Sequence, residues 1–271
     1  MDNIMHRVTI IGAGNIGGAI ARGLAQGTIV DAERICCTDR SQELLDGVRA
    51  FNEKISVSTD NVKAVREADI VVIAVKPWVV ESVINEIKTA LDYDRQMVVS
   101  IAAGVTFDEL LSYLAKPSGL NRTTPPIFRV IPNTAIEALS SMTFVSACNA
   151  SKEQTDLILG IFNELGNALL VEERLMMAGT ALASSGIAFA LRYIRAAIEG
   201  GVELGFYPKE AQEIVLHTVK GAVDLLLKNK SNPEQEIDRV TTPGGITIRG
   251  LNEMELSGFT SSVIRGLKAS R

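Results

Sequence analysis

The chain has 271 residues, of which 46% are hydrophobic and 22% charged, and carries a formal net charge of -5 at pH 7. That length suits two domains, each with its own core. The acidic balance, with no Lys/Arg-rich run, excludes a face built for a phosphate backbone, so no nucleic-acid partner is expected.

Met1 to Arg7 runs directly into the apolar run Val8-Thr9-Ile10-Ile11, without the basic start, apolar centre and small-residue cleavage site of an export signal. A cytoplasmic location is therefore expected. Next come Gly12-Ala13-Gly14-Asn15-Ile16-Gly17 and a helical stretch to Leu24. Ile35 to Thr38 reads as a strand, Ser41 to about Phe51 as a helix and Ile55 to Val57 as a short strand. Ala64 to Ala68 reads as a helix, Ile70 to Val75 as a strand, Val79 to Leu91 as a helix and Met97 to Ile101 as a strand. Phe128 to Ile131 and Met142 to Ser146 add two more strands, and Lys116 to Pro126, with three prolines, reads as an exposed connection. Strand–helix alternation with continuous Val/Ile runs predicts a parallel sheet buried on both faces.

From about Lys152 helical periodicity dominates. Ile214, Val215, Val219, Ala222, Leu225 and Leu226 form one apolar stripe, while 175–206 carries small residues on several sides. So many apolar helix faces predict a dimer through the C-terminal half; the alternative is a self-contained bundle. The longest uncharged stretch, Leu175 to Leu191, has 17 residues, short of the roughly 20 a membrane span needs, so no membrane association is expected. The three cysteines show neither pairing nor metal spacing, which fits free thiols in a reducing compartment and no metal site. The expected division is an α/β Rossmann dinucleotide-binding domain over 1–166 and an all-helical dimerisation and substrate-binding domain over 167–271.

The glycine motif follows a strand and opens a helix, the context a dinucleotide requires. Gly12 permits the tight turn, Gly14 lets backbone approach a pyrophosphate, and Gly17 lets helix and strand pack closely. The helix start at Asn15 and Ile16 offers free N–H groups to phosphates. Asp39, ending the second strand, stands where a carboxylate holds a ribose diol and favours NAD, whereas Arg40 suits the extra phosphate of NADP. The residues leave that choice open.

Four further segments resemble the pyrroline-5-carboxylate reductase family. They are Ala74-Val75-Lys76-Pro77, Ser100 to Thr106, Arg129 to Thr134, and Val240-Thr241-Thr242-Pro243-Gly244-Gly245-Ile246-Thr247-Ile248. With the N-terminal glycines they span nearly the whole chain. The resemblance implies reduction of L-1-pyrroline-5-carboxylate to L-proline, the last step of proline synthesis, in a homodimer that some members build into a ring of dimers. It implies NADPH, with NADH as the alternative, held by the glycine motif, Asp39, Arg40, Asn61 and Ala74 to Pro77. The chain departs from the family at Ala183-Ser184-Ser185-Gly186-Ile187-Ala188-Phe189, where members usually carry Ser-Gly-Ser-Gly-Pro-Ala-Tyr. The missing proline and tyrosine hydroxyl remove the sequence basis for a kink and for a tyrosine hydrogen bond.

Thr242-Pro243-Gly244-Gly245 reads as a tight turn opening a helix, with Pro243 suited to the helix start and the glycines allowing close approach. Such a start binds an anion, and the substrate has one carboxylate, with Thr242 as a hydroxyl donor. Thr247 is the expected catalytic residue, partnering the imine nitrogen; its alternative is a helix residue bonded to local backbone. His217 is expected to be an ordinary helix residue. One rival is a β-hydroxyacid-type dehydrogenase, whose members carry a helix lysine that is missing here between Met176 and Pro208. The other is a non-catalytic NAD(P)-binding sensor or scaffold.

Overall fold

Strand β1 (Val8–Ile11) leads into helix α1 (Asn15–Leu24), and strand–helix pairs repeat from there. β2 (Ile35–Thr38), α2 (Gln42–Phe51), β3 (Ser56–Ser58), α3 (Asn61–Arg66), β4 (Ile70–Ile73), α4 (Val80–Ile87), β5 (Met97–Ser100) and α5 (Phe107–Leu114) follow in turn. β6 (Ile127–Ile131), β7 (Ser141–Cys148), α6 (Lys152–Asn163) and β8 (Gly166–Leu170) complete one sheet. The computed structural model describes residues 6–116 and 124–271. Its sheet order is β3-β2-β1-β4-β5-β6-β7-β8, parallel throughout except where β6 meets β7 antiparallel. The order reverses between β1 and β4, the place where such sheets bind nucleotides.

Side-chain alternation explains why the strands are continuous apolar runs. Val8, Ile10, Ile70, Val72, Met97 and Val99 pack on one face with Ile20 and Leu24 of α1 and with Ile158 and Phe162 of α6. Ile11, Val71, Ile73 and Val98 pack on the other with Val83 and Ile84 of α4 and Leu110 of α5. Both faces are covered, so every second residue must be apolar on each side. Cys36 and Cys37 point to opposite faces, and all three cysteines are free. Burial, with further contributions from Cys36 and Asp39, pushes the Cys37 thiol up to about 12, so it is inert as a nucleophile at neutral pH.

Three expectations change. Helical periodicity from Lys152 hides one more strand: β8 pairs with β7 from Ser141↔Gly166 to Val145↔Leu170, so a division at 166/167 would cut a strand. The compact units are Met1–Ser184 and Ser185–Arg271. Residues past β8 stay with the sheet because Met176 of α7 (Met176–Gly179) is fully buried against Ile131 and Phe144. Of the expected exposed connection Lys116 to Pro126, residues 117–123 lie outside the described residues. Its end is buried: Pro125 and Pro126 are covered, and the Pro126 carbonyl accepts from Val98 N at 2.9 Å.

The second unit is helical. α8 (Gly186–Glu203), α9 (Pro208–Asn229), α10 (Pro233–Val240), α11 (Ile246–Leu256) and α12 (Phe259–Ala269) follow in order, with α8 packed on α9 and α11 on α12. Ala211 is its one buried residue. Leu191, Leu204, Ile214, Leu225, Leu227, Ile246 and Leu256 are exposed, and Phe189, Tyr193, Met254, Phe259 and Val263 line an open apolar groove of about 610 Å³. Ordering a residue costs about 1–2 kcal/mol, and the unit buries too little apolar surface to offset that alone. The expected stripe on α9 is present, with Val215, Val219 and Leu226 half-buried and Ile214, Ala222 and Leu225 exposed. The helical segment Glu173–Glu203 is also longer than the uncharged run suggested: its most apolar 18 residues have a mean hydropathy of 1.3, long and apolar enough to cross a membrane by length and composition alone, a test that core helices of soluble proteins pass as well.

Candidate active site

The loop from β1 to α1 is shaped by its glycines. Gly12 sits at φ 108°, and a Cβ there would lie 2.5 Å from the Ala74 carbonyl oxygen. At Gly17 a Cβ would lie 1.9 Å from the Gly12 oxygen and 2.9 Å from Ala74 Cβ, so strand end, loop and helix touch through backbone. Gly14 is different: nothing lies within 4 Å of a Cβ built there. That space opens at the N-terminus of α1, where no side chain caps the helix. Uncapped N–H groups at Asn15 and Ile16 in front of a void fit a pyrophosphate.

Asp39 is committed to the loop. Its Oδ2 accepts from Ala13 N at 2.7 Å and its Oδ1 from Ser41 N at 2.9 Å, so the carboxylate fastens the glycine loop to the start of α2. Arg40 beside it is exposed. Asn61 opens α3 and bridges two elements: its Oδ1 accepts from the Thr38 hydroxyl at 2.6 Å, and its Nδ2 donates to Glu86 at 3.2 Å. Ala74 N donates to Ile11 O at 2.8 Å. From there the chain passes Val75 to exposed Lys76 and a short turn, Pro77–Val79, whose Trp78 is 80% exposed. All these residues gather at the carboxyl ends of β1, β2 and β4. The next loop along that edge, Ala102-Ala103-Gly104 after β5, received no role from sequence. Its signal was Gly104, which sits at φ 88° with open space around it.

On the second unit, Gly245 N donates to Thr242 O at 2.9 Å, with Pro243 next and Gly244 at φ 71°. Proline followed by a positive-φ glycine is the pattern of a type II turn. Pro243 therefore serves the turn and not the helix start, which comes at Ile246 with Gly245 as the N-cap and no side-chain cap. Arg249, which the sequence reading passed over, reaches back to Gly244 O at 3.3 Å and Gly245 O at 3.4 Å. Its charge one turn into α11 adds to the positive helix end. Thr242 and Thr247 are exposed. The local backbone bond that would have made Thr247 an ordinary helix residue is not formed among the described residues. His217 lies exposed on α9.

The departure at Ala183–Phe189 coincides with an irregular helix. Thr180–Ser185 is π-helical, so the helix loses α regularity without a proline. Asn133 Nδ2 donates to Ala183 O at 3.4 Å, and the Ser184 hydroxyl donates to Pro132 O at 3.2 Å. A glycine at 184 has no hydroxyl for the second bond, so this tie belongs to the altered run.

Residues 173–271 match the family model described as pyrroline-5-carboxylate reductase dimerisation, and residues 7–104 match that of NADP oxidoreductase coenzyme F420-dependent. Pyrroline-5-carboxylate reductase 1 of Dictyostelium discoideum is 36% identical over 275 residues, and the chain spans about half, 48%, of that relative's length. Pyrroline-5-carboxylate reductase 2 of the same organism is 36% identical over 276 residues, covering 97% of this chain and 90% of that protein. Among solved structures, Plasmodium falciparum pyrroline carboxylate reductase with NADP bound superposes at a TM-score of 0.85 with 27% identity, over 98% of this chain and 95% of that one. Identity at this level along nearly all of a relative reflects common descent and not merely a shared fold, and the chain belongs to the pyrroline-5-carboxylate reductase family.

Proposed function

We propose that the chain reduces L-1-pyrroline-5-carboxylate to L-proline with NADPH, closing proline synthesis. The observation that carries this reading is the pairing, in one chain of this family, of a glycine cradle with room for a pyrophosphate and an uncapped Thr-Pro-Gly-Gly helix start. When bound, the reduced nicotinamide would supply the hydride for the imine carbon, and the nitrogen would take a proton. The N–H groups of Ile246, Thr247 and Ile248 hold the substrate carboxylate, aided by the Thr242 hydroxyl and by Gly244 and Gly245, which keep the approach clear. Thr247 Oγ1, free of local bonds, orients the ring nitrogen and relays to it a proton drawn from water, which restores the hydroxyl. A cyclic imine is partly protonated in water, so no strong acid is required; positioning supplies most of the rate.

The dinucleotide rests on Gly12, Gly14, Asn15, Ile16 and Gly17, with Asn61 and Ala74 to Pro77 along the same edge. Asp39 spends both oxygens on backbone N–H groups, which leaves exposed Arg40 to receive the extra phosphate of NADPH. Arg40→Ala is therefore expected to lower kcat/KM with NADPH about tenfold, one charge-assisted contact, while sparing the value with NADH. An unchanged ratio between the two cofactors would remove Arg40 from that role.

The uncovered apolar surface of 185–271 is proposed as the homodimer face, on which a ring of dimers can build. The three free cysteines suit the cytoplasm. Purified chain in detergent-free buffer should scatter light as two copies or a multiple of two, and oxidise NADPH when given pyrroline-5-carboxylate. A folded monomer would refute the dimer. NADPH binding without turnover would revive the non-catalytic sensor.

A further inference from the structure

The Ala102-Ala103-Gly104 loop has no polar side chain to hold its shape, yet its far end and the strand beside its start share one carboxylate. Glu173 Oε1 accepts from Phe107 N, the first residue of α5, at 2.7 Å. The same oxygen accepts from Arg129 Nη1 on β6 at 2.6 Å. The Arg129 side chain is only 6% exposed, and its guanidinium lies 5.9 Å from the centre of the Phe107 ring. Arg129 is also the register partner of Ser100, the last residue of β5 before the loop. Glu173 therefore holds the point where the loop enters α5 and links it to the strand beside β5, while the β5–β6 ladder itself places Ser100. The capping box of Thr106 and Glu109 satisfies the N–H groups of those two residues and leaves that of Phe107, which Glu173 takes up.

The loop stands at the carboxyl end of β5, next to β4 and its Ala74 to Pro77 extension. On folds of this kind a dinucleotide lies across those strand ends at the switch point. We propose that Glu173 is a positioning residue for the cofactor: through Phe107 N and Arg129 it sets the loop against which NADPH binds. This rests on the reading of the chain as an NADPH-dependent reductase. The carboxylate touches neither cofactor nor substrate; it acts through backbone geometry, where small misplacements weaken binding sharply.

The test measures NADPH affinity directly, apart from turnover, by quenching of Trp78, the single tryptophan, which adjoins the cofactor edge. Three full-length variants are compared with wild type, with thermal melting recorded for each. Glu173→Ala loses both bonds and is expected to weaken NADPH binding about tenfold, the size of one lost charge-assisted hydrogen bond. Glu173→Asp keeps the charge near Arg129, and so the fold, but is too short to reach both partners. It is expected to lose about threefold or more. Glu173→Gln keeps an acceptor oxygen at full length and is expected to stay within about twofold of wild type. If the alanine variant melts below the assay temperature, the aspartate and glutamine pair decides. Affinity within about twofold for both alanine and aspartate, with only the melting temperature lowered, would mean a structural ion pair and overturn the proposal. Wild type that binds NADPH but does not turn over would fault the assigned reaction and leave this result standing.

Discussion

Gly17→Ala is expected to reduce NADPH affinity by two orders of magnitude or more and to lower the melting temperature as well. The added methyl would sit 1.9 Å from the Gly12 carbonyl oxygen and 2.9 Å from Ala74 Cβ. Neither neighbour is the end of a flexible chain, so α1 must move away from the β1 loop. Overpacking of this kind costs about 1–3 kcal/mol of stability. Moving the helix also withdraws the N–H groups at Asn15 and Ile16, and two charge-assisted bonds at about 1.5–3 kcal/mol each account for the affinity loss. Gly14→Ala separates the two effects. Gly14 has φ -63° and open space around a new Cβ, so the free protein should melt as wild type does while NADPH binding falls. Calorimetric titration beside a melting curve measures both. Wild-type affinity in Gly17→Ala would remove the cradle from the mechanism. A lowered melting temperature in Gly14→Ala would mean that its space serves the fold.

The parts of this molecule legible in sequence are those where a physical rule acts over a few neighbouring residues. Ile70 to Ile73 is a continuous apolar run, and Val8 to Ile11 is one but for Thr9, whose hydroxyl donates to Ala64 O, because both sheet faces are covered. The glycine spacing of the cradle is readable because Gly17 packs on Gly12 within one turn, although both also lie against Ala74 at the end of β4. β8 was missed because Gly166-Asn167-Ala168-Leu169-Leu170 has no β-branched or aromatic residue, and Leu169 and Leu170 are exposed at a sheet edge. Its strand character comes from pairing with β7, a tertiary effect that outweighs local preference. Glu173 was equally hidden. Its partners lie 66 and 44 residues away in sequence, and nothing near Arg174 marks that carboxylate as different from exposed Glu172. The Thr-Pro-Gly-Gly turn was readable as a turn, since proline and glycine act locally. The role of Pro243 within it was not, because a helix start and the second residue of a type II turn ask the same φ of proline.

Thr247→Ala is expected to lower kcat for pyrroline-5-carboxylate by about a hundredfold, at the low end for a positioned proton donor, with NADPH affinity unchanged. The low end follows from the substrate: its nitrogen is already partly protonated, so the hydroxyl orients more than it ionises. Thr247→Ser keeps the oxygen and should restore most of the rate, which separates the hydroxyl from the methyl and from helix propensity. Gly244→Val addresses the same site from the backbone. At φ 71° a β-branched residue costs about 1–2 kcal/mol, so the turn must rebuild and the N–H groups of Ile246 to Ile248 lose their aim. Its signature should be a KM for pyrroline-5-carboxylate raised about tenfold with kcat less affected, since carboxylate holding is felt in ground and transition states alike. Steady-state kinetics over a range of substrate concentrations resolves the two. If Thr247→Ala instead raises KM and spares kcat, the hydroxyl belongs with the carboxylate contacts, and the proton reaches the nitrogen from water alone. If Gly244→Val leaves KM unchanged, the substrate carboxylate binds elsewhere, and the uncapped start of α11 has no part in the reaction.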